Sequence, residues 1–144
     1  MDQKNVTEAR LLQFPKIADP RGNLTFLQNP DQLPFKIERV FWTYDVPGGE
    51  IRGAHAYKQH QEIIIALSGS FDVLITRADG STQKFSLNRS YYGLYLPPLT
   101  WRQMENFSTN SLGLHIASDA YNPGDYIRDF SAYQKLINEG HHGI

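Results

Sequence analysis

The chain contains no cysteine among its 144 residues. It can therefore form no disulfide, bind no metal through a thiolate and use no cysteine nucleophile, and it suits a reducing compartment. No apolar run approaches the length of a membrane span, and the first residues lack the apolar stretch of a secretory signal. The net charge of −1 gives no overall attraction to nucleic acid or to a membrane surface. These absences predict a cytoplasmic protein without a nucleic-acid or membrane partner.

What the chain has in abundance is strand-like sequence. Its length suits one domain, predicted over 1–144, and from about residue 8 to 118 short runs rich in β-branched and aromatic residues alternate with turns. The runs are NLTFLQ, KIERVFWTYDV, EIIIAL, SFDVLIT, QKFSL, YYGLYL, WRQMENF and SLGLHIAS. Gly, Pro, Asp and Asn separate them, and Asp79-Gly80 is a strong hairpin signal. Many short strands at this spacing predict a sandwich, jelly roll or barrel.

The tail has a different period. The segment NPGDYIRDFSAYQKLINEG places aromatic and aliphatic side chains at helical spacing. Asn122 is suited to cap a helix, Pro123 to its first turn and Gly140 to its end. The sequence therefore predicts one amphipathic helix over about 123–138, packed on an all-β body.

The stretch GGEIRGAHAYKQHQEIIIALSG resembles the first motif of cupin proteins, G-x5-H-x-H-x4-E-x6-G. Gly49, His55, Glu62 and Gly69 fit the spacing, and Tyr57 stands in place of the second histidine. Positions 55 and 57 share one side of a strand because side chains alternate, and Glu62 can reach the same side after a turn. Two histidines and a carboxylate arranged in this way would make a metal site.

The second cupin motif, P-x-G-x-x-H-x3-N, is best matched by PPLTWRQMEN. There Leu99 replaces the glycine and Arg102 replaces the ligand histidine. Arginine stays protonated and would repel a cation, so we expect no metal. His60 is a weak substitute ligand, because it lies an odd number of residues from His55 and in the predicted turn.

The remaining groups are suited to acid–base chemistry. His55 is suited to take and return a proton near neutral pH. Arg52 and Arg102 can hold a phosphate or a developing oxyanion, Tyr57 can donate a proton, and Glu62 is predicted to line the same substrate pocket. From the spacing alone, an equally good interpretation makes His55 a hydrogen-bonded structural residue and the arginines partners in surface ion pairs.

Several blocks, taken together, resemble the sugar 3,4-ketoisomerase cupins, the WxcM-like group. The blocks are FPKIADPRGNLTFLQ, VFWTYDVPGGEIRGAHAYK, EIIIALSGSFDV, LNRSYYGLYLPPLTWRQMENFS and ASDAYNPGDYIRDF. The resemblance implies a cupin-type jelly-roll β-barrel that lacks a metal and needs no cofactor, and that pairs as a homodimer. It also implies a dTDP-linked substrate, dTDP-4-keto-6-deoxyglucose, whose keto group moves from C4 to C3.

The resemblance assigns roles to particular residues. The catalytic histidine of the family corresponds to His55. Nucleotide contacts would come from arginines and aromatics of the barrel mouth, and the candidates are Arg21, Arg52, Tyr92, Tyr95 and Arg102. Each has a structural alternative, because Arg21 could order the turn in DPRGN and the tyrosines could belong to the core.

The chain departs from typical members at the site. They have a second histidine at the position of Tyr57, several have a tyrosine at the position of Phe41, and some have a histidine at that of Arg102. If proton transfer depends on those groups, a non-catalytic nucleotide-sugar-binding module or a 3,5-epimerase-like enzyme are alternatives. A metal-dependent cupin oxygenase comes last.

Overall fold

The computed structural model describes residues 8–141, and within them the chain forms twelve strands. They are β1 Arg10–Gln13, β2 Lys16–Ile17, β3 Leu24–Thr25, β4 Arg39–Tyr44, β5 Arg52–Tyr57, β6 Glu62–Ser68, β7 Phe71–Thr76, β8 Thr82–Leu87, β9 Tyr92–Leu96, β10 Arg102–Glu105, β11 Leu112–Ala117 and β12 Tyr126–Ile127. A 3-10 helix, Pro123–Asp125, precedes β12, and the α-helix α1, Phe130–Leu136, continues into a π-helical turn, Ile137–His141. In residues 8–141 we find no helix long and apolar enough to cross a membrane.

Two five-stranded antiparallel sheets face each other. One has the order β1-β9-β6-β11-β4, the other has the order β12-β5-β10-β7-β8, and β2 and β3 form a separate hairpin. Sequence neighbours are often not sheet neighbours, as in a jelly roll, in which strands cross between the two sheets. The arrangement confirms the predicted all-β, cupin-type jelly roll with a C-terminal helix.

The run EIIIA explains how the first sheet is packed. In β6, Ile64 and Ala66 face the second sheet and join the core between the two sheets. Ile63 and Ile65 face the other way, where Phe14 and other residues of the N-terminal segment cover them. A strand buried on both faces needs a continuous apolar run, not an alternating one.

The predicted helix over 123–138 is wrong in its first half. Asn122 does cap a helical turn, but only the 3-10 turn, where its side chain accepts a hydrogen bond from the Gly124 amide. Tyr126 and Ile127 then pair with β5 as a strand. The α-helix begins at Phe130, because the Asp129 side chain caps it by accepting from the Ala132 amide. The helical spacing of aromatic residues across 126–137 therefore arises from a short strand followed by a helix, not from one long helix.

The predicted strand NLTFLQ is also too long. Only Leu24 and Thr25 pair, with β2, and the chain then leaves the ladder for turns. The Asp79-Gly80 hairpin is confirmed: β7 pairs with β8 along its whole length, and Gly80 takes φ +89°, a conformation glycine adopts without strain.

Candidate acid–base site

A cavity of about 360 Å³ lies at one end of the space between the two sheets. Ile64 and Met104 belong both to the core and to the cavity, so the cavity continues the core toward the barrel mouth. The polar side chains that line it are Thr43, Arg52, His55, Tyr57, Glu62, Arg102, His115, Tyr121, Tyr126 and Arg128. The volume falls in the usual range for a small-molecule pocket.

The two strands of the first motif place its residues as the sequence predicts. His55 and Tyr57 lie two positions apart on β5, and both side chains line the cavity. Glu62 opens β6 and faces the same space. Arg102 begins β10 directly opposite His55 in the ladder. The structure thus brings together Arg52 and these four predicted residues, although their roles remain predictions.

A buried ion pair forms the floor of the cavity. Arg102 Nη1 donates to Glu62 Oε1 at 2.6 Å, and the two side chains are 3% and 2% exposed. The His115 imidazole contacts the other oxygen, with Nδ1 2.5 Å from Oε2. His115 in turn contacts the Thr43 hydroxyl through Nε2 at 3.0 Å, and Phe41 stacks on its ring. Glu62 therefore joins β6, β10 and β11 across the barrel.

Glu62 is a permanent anion in this setting. Its burial alone would raise its pKa, but the Arg102 cation and the His115 hydrogen bond outweigh burial and hold the pKa far below the usual range. Glu62 accepts from only one nitrogen of the Arg102 guanidinium, Nη1. Arg102 Nη2 is buried and has no hydrogen-bond partner among the described residues. A buried donor without a partner marks a place where a ligand oxygen can bind.

His55 is an uncharged base. Burial, reinforced by the nearby Arg102 cation, lowers its pKa to about 3, so the imidazole is neutral at physiological pH. Its Nε2 is buried and without a hydrogen-bond partner within residues 8–141. A neutral imidazole with a free nitrogen in a cavity can accept a proton from a bound molecule.

Tyr57 is a neutral phenol. Burial, followed by the Glu62 charge, raises its pKa well above the usual range, so the hydroxyl keeps its proton and can donate it. The hydroxyl donates to Tyr126 Oη at 3.3 Å. The Arg102 guanidinium lies over the Tyr57 ring, 5.0 Å from its centroid.

The turn before β10 fixes the backbone of Tyr57. Leu99, at the position of the motif glycine, keeps the left-handed conformation with φ +59°. Its amide donates to the Tyr57 carbonyl at 2.7 Å, and its carbonyl accepts from Tyr133 Oη at 2.9 Å. A leucine is strained in this conformation, and these two hydrogen bonds hold it there.

The residues at the cupin ligand positions do not fit a metal ion. Both oxygens of Glu62 are engaged, by Arg102 and by His115, and a phenol stands at the position of the second histidine. A divalent cation would have to displace a buried guanidinium that neutralises the same carboxylate. We therefore derive no step through a metal at this site.

His60 has a different task from the ligand role that we considered. Its Nδ1 lies 2.6 Å from Asp125 Oδ2, and Asp125 also accepts from the amides of Gln59 and His60. The His60 ring stacks on Tyr57 from outside the cavity lining. Together with Asp119 and Asp125, His60 forms the one three-residue group in the described part of the chain that could hold a metal. The Asp125 contact ties the segment before β12 to the end of β5.

Three predicted substrate-binding residues do not line the cavity. Arg21 lies in the turn between β2 and β3, fully exposed and paired with Asp19, as its structural alternative expected. Tyr92 donates its hydroxyl to the Ser86 carbonyl in a surface turn. Tyr95 is 1% exposed, packs in the core on the far face of the first sheet, and contacts Gln61.

Sequence reasoning missed part of the site. His115 and Tyr126 line the cavity, and so does the exposed Arg128, whose guanidinium lies 4.2 Å from the Tyr126 ring centroid. The sequence analysis used SLGLHIAS, which contains His115, only as a predicted strand. It used DYIRD, which contains Tyr126 and Arg128, only as part of the family resemblance. The sequence did contain a signal for His115, because it is the one polar side chain in the otherwise apolar strand β11.

A larger hollow of about 650 Å³ lies outside the barrel, on the far face of the first sheet. Apolar residues make up most of its lining, among them Phe14, Phe26 and residues of β6 and β11. Its lining contains no paired acid and base like His55 and Tyr57, so we place the chemistry in the smaller cavity.

Known proteins share both the fold and the sequence. The FdtA family model, described as "WxcM-like, C-terminal", matches residues 7–138. A TDP-4-oxo-6-deoxy-alpha-D-glucose-3,4-oxoisomerase of Aneurinibacillus thermoaerophilus is 36% identical over 131 residues, covering 90% of this chain and 93% of that protein. The sugar 3,4-ketoisomerase QdtA of Thermoanaerobacterium thermosaccharolyticum, solved with TDP, superposes with a TM-score of 0.88 at 33% identity, over 91% and 95% of the two chains. A 3,4-ketoisomerase of Helicobacter canadensis superposes with a TM-score of 0.87 at 34% identity, over 92% of this chain and 98% of that one.

The fold and the cavity define a cupin in which a phenol and a buried guanidinium stand at positions where metal-dependent cupins carry ligands. Within that class, the chain belongs to the WxcM-like FdtA family, whose model covers nearly all of it.

Proposed function

We propose that the protein is an isomerase that moves the keto group of a TDP-linked 4-keto-6-deoxyhexose from C4 to C3. The relatives that match over nearly the whole chain are named as enzymes of this reaction. The observation that carries the proposal is the neutral, unpaired His55 facing the same cavity as the unpaired Nη2 of Arg102. A base and a cationic donor around one cavity are what an enolisation requires.

The reaction proceeds by proton transfer at carbon. The C4 ketone acidifies the C3 hydrogen, His55 removes it, and an enediolate forms. Arg102 donates from Nη2 to the enediolate oxygen in a buried site, where such a contact is stronger than in water. His55 then returns the proton at C4, which leaves the ketone at C3. The step needs no cofactor.

Tyr57 serves as the proton donor in this mechanism. It stands at the position of the second histidine of typical members, and its raised pKa keeps it protonated. Its phenol can donate to a sugar oxygen but is a poor base, so the abstraction falls to His55. Phe41 supplies no hydroxyl and instead stacks on His115.

We assign the diphosphate to the exposed arginines at the rim of the cavity. Arg52 and Arg128 line the cavity and are free of carboxylate partners within the described residues. Guanidinium groups match phosphate oxygens with paired hydrogen bonds. We do not carry Tyr92 and Tyr95 into the proposal, because both hydroxyls are engaged away from the cavity. Nor do we carry Arg21 into it, because Arg21 is exposed and pairs with Asp19 outside the cavity lining.

One experiment tests the function. The protein is incubated with TDP-4-keto-6-deoxyglucose in heavy water and the sugar is followed by NMR. We expect the ketone to appear at C3 with deuterium at C4. Deuterium at C3 and C5 with the ketone still at C4 would indicate an epimerase. Binding without exchange would leave a nucleotide-sugar-binding module.

We also propose that the protein pairs as a homodimer through the outer face of the first sheet. β4 is an edge strand, and Val40, Trp42 and Tyr44 on its outward side are 46%, 58% and 61% exposed. Leu67 of β6 is exposed on the same sheet. An apolar strip beside an unpaired strand edge is typical of a protein–protein interface.

A further inference from the structure

Two phenol hydroxyls meet inside the cavity. Tyr57 Oη and Tyr126 Oη are 3.3 Å apart and hydrogen bonded. Both rings lie against the base, with centroids 4.7 Å and 5.0 Å from that of His55. The base and the two phenols therefore form one cluster around the same part of the cavity.

The fold holds this pair in register. Tyr126 is the ladder partner of Tyr57 where β12 pairs with β5, so the two side chains emerge side by side. The Asp125 carboxylate, bound to His60, anchors the segment just before Tyr126. The two ladder pairs of β12 with β5 and the buried contact between Asp125 and His60 therefore hold Tyr57 and Tyr126 next to each other.

The proposed reaction moves two hydrogens, and His55 can account for only one of them. It accepts the hydrogen that leaves C3 and, after exchange with solvent, supplies the one that arrives at C4. The hydroxyl proton on O3 must also leave, and O4 must gain one, for the ketone to end at C3. A phenol both donates and accepts hydrogen bonds, so a pair of phenols can carry out this second transfer.

We propose that Tyr126 is a second catalytic phenol and forms with Tyr57 a relay that moves a proton from O3 to O4. The Tyr57 hydroxyl donates to Tyr126 in the structure, and a hydroxyl hydrogen can rotate to suit its acceptor. When O4 accepts from Tyr57, the hydrogen bond between the phenols reverses: Tyr57 gives its proton to O4 and takes the proton of Tyr126, while Tyr126 takes the proton of the O3 hydroxyl. The O–H bond breaks at O3 and forms at O4, and both phenols end neutral. Together with the transfer by His55, the reaction takes up no net proton. This inference rests on the proposed isomerase function.

The test separates the carbon step from the oxygen step in Tyr126→Phe. In heavy water we expect this variant to exchange the C3 hydrogen of TDP-4-keto-6-deoxyglucose within about threefold of the wild-type rate. Formation of the C3 ketone should fall by about 100-fold or more, the usual size of an acid–base contribution. Tyr57→Phe should show the same split, and the double variant should lose no more than either single variant.

Tyr91→Phe is the matched control, because it removes a phenol hydroxyl beside the larger hollow, outside the cavity. We expect wild-type exchange and conversion in it. Conversion at the wild-type rate in Tyr126→Phe would overturn the relay. So would an equal loss of exchange and conversion, which indicates a structural role. A wild-type protein that neither exchanges nor converts would instead overturn the isomerase function, and the relay with it.

Discussion

At the scale of single residues, the site depends on groups whose ordinary properties the barrel alters. His55 has its pKa lowered to about 3 by burial and by the Arg102 cation, while burial raises that of Tyr57. The two shifts separate a proton acceptor from a proton donor that lie on the same strand. This separation is how two neighbouring groups can take opposite roles at one pH.

Replacement of the base should stop the carbon step. We expect His55→Asn to lose deuterium exchange at C3 by at least about 100-fold, because an amide cannot accept the proton. The melting temperature should stay within a few degrees, since a neutral polar group replaces a neutral imidazole. Calorimetry and NMR on the same sample measure both. Wild-type exchange in this variant would remove His55 from the mechanism.

The pH dependence of the reaction provides a second check on His55. Only the neutral imidazole is active, and a lowered pKa keeps it neutral in more acidic solution than a free histidine. We therefore expect kcat/KM to stay flat from about pH 8 to about pH 5, with no decline near 6.5, the reference value for histidine. A rate profile that falls with a midpoint near 6.5 would contradict the buried, neutral base.

Sequence alone could predict the residues that share one strand or one motif. His55, Tyr57, Glu62 and Arg102 follow from period two and from the cupin spacing. His115 and Tyr126 reach the cavity only through the pairing of β11 and β12 with distant strands, and no local pattern encodes that register.

At the scale of elements, the barrel is joined across its interior by one carboxylate. Glu62 on β6 contacts Arg102 on β10 and His115 on β11, which belong to both sheets. Most of the longer strands were predictable from their composition, whereas β1, β2 and β12 were not among the predicted runs. The tail was not, because a strand and a helix in succession gave the same aromatic spacing as one long helix.

Removal of that carboxylate should destabilise the protein strongly. Glu62→Gln leaves the Arg102 cation buried without its counter-charge, and breaking a buried pair costs about 3–5 kcal/mol. Urea unfolding at neutral pH would measure the loss. The control is Glu38→Gln, since Glu38 pairs with Lys36 on the surface at 3.6 Å, and exposed pairs contribute about 0–1 kcal/mol. Similar losses in both variants would contradict the role of Glu62.

At the scale of the whole molecule, the two faces of the first sheet have different tasks. The inner face packs the core and ends in the cavity, while the outer face at β4 carries exposed Val40 and Trp42. The homodimer, the cytoplasmic location and the absence of nucleic-acid and membrane partners remain predictions from composition and resemblance. The larger hollow lies on the same outer side as the exposed strip.

The dimer proposal predicts a specific response to charge. We expect the wild-type protein to elute with twice the monomer mass of 16.5 kDa in light-scattering chromatography. Trp42→Lys should shift it toward the monomer, because a cation at the centre of the strip must be desolvated on association. Tyr121→Lys is the control, since Tyr121 is 60% exposed but lies at the cavity. A monomeric wild-type protein would overturn the proposal.

The docking of β12 on β5 has a consequence for how the enzyme is made. The cavity wall that contains Tyr126 and Arg128 comes from a segment that follows all the other barrel strands in the sequence. During synthesis, the sheets can assemble as the first 117 residues emerge, but the cavity stays open on one side. A nascent chain therefore has His55 in place before it has Tyr126. Newly made protein should become active only after Tyr126 and Arg128 have emerged and Asp125 has bound His60.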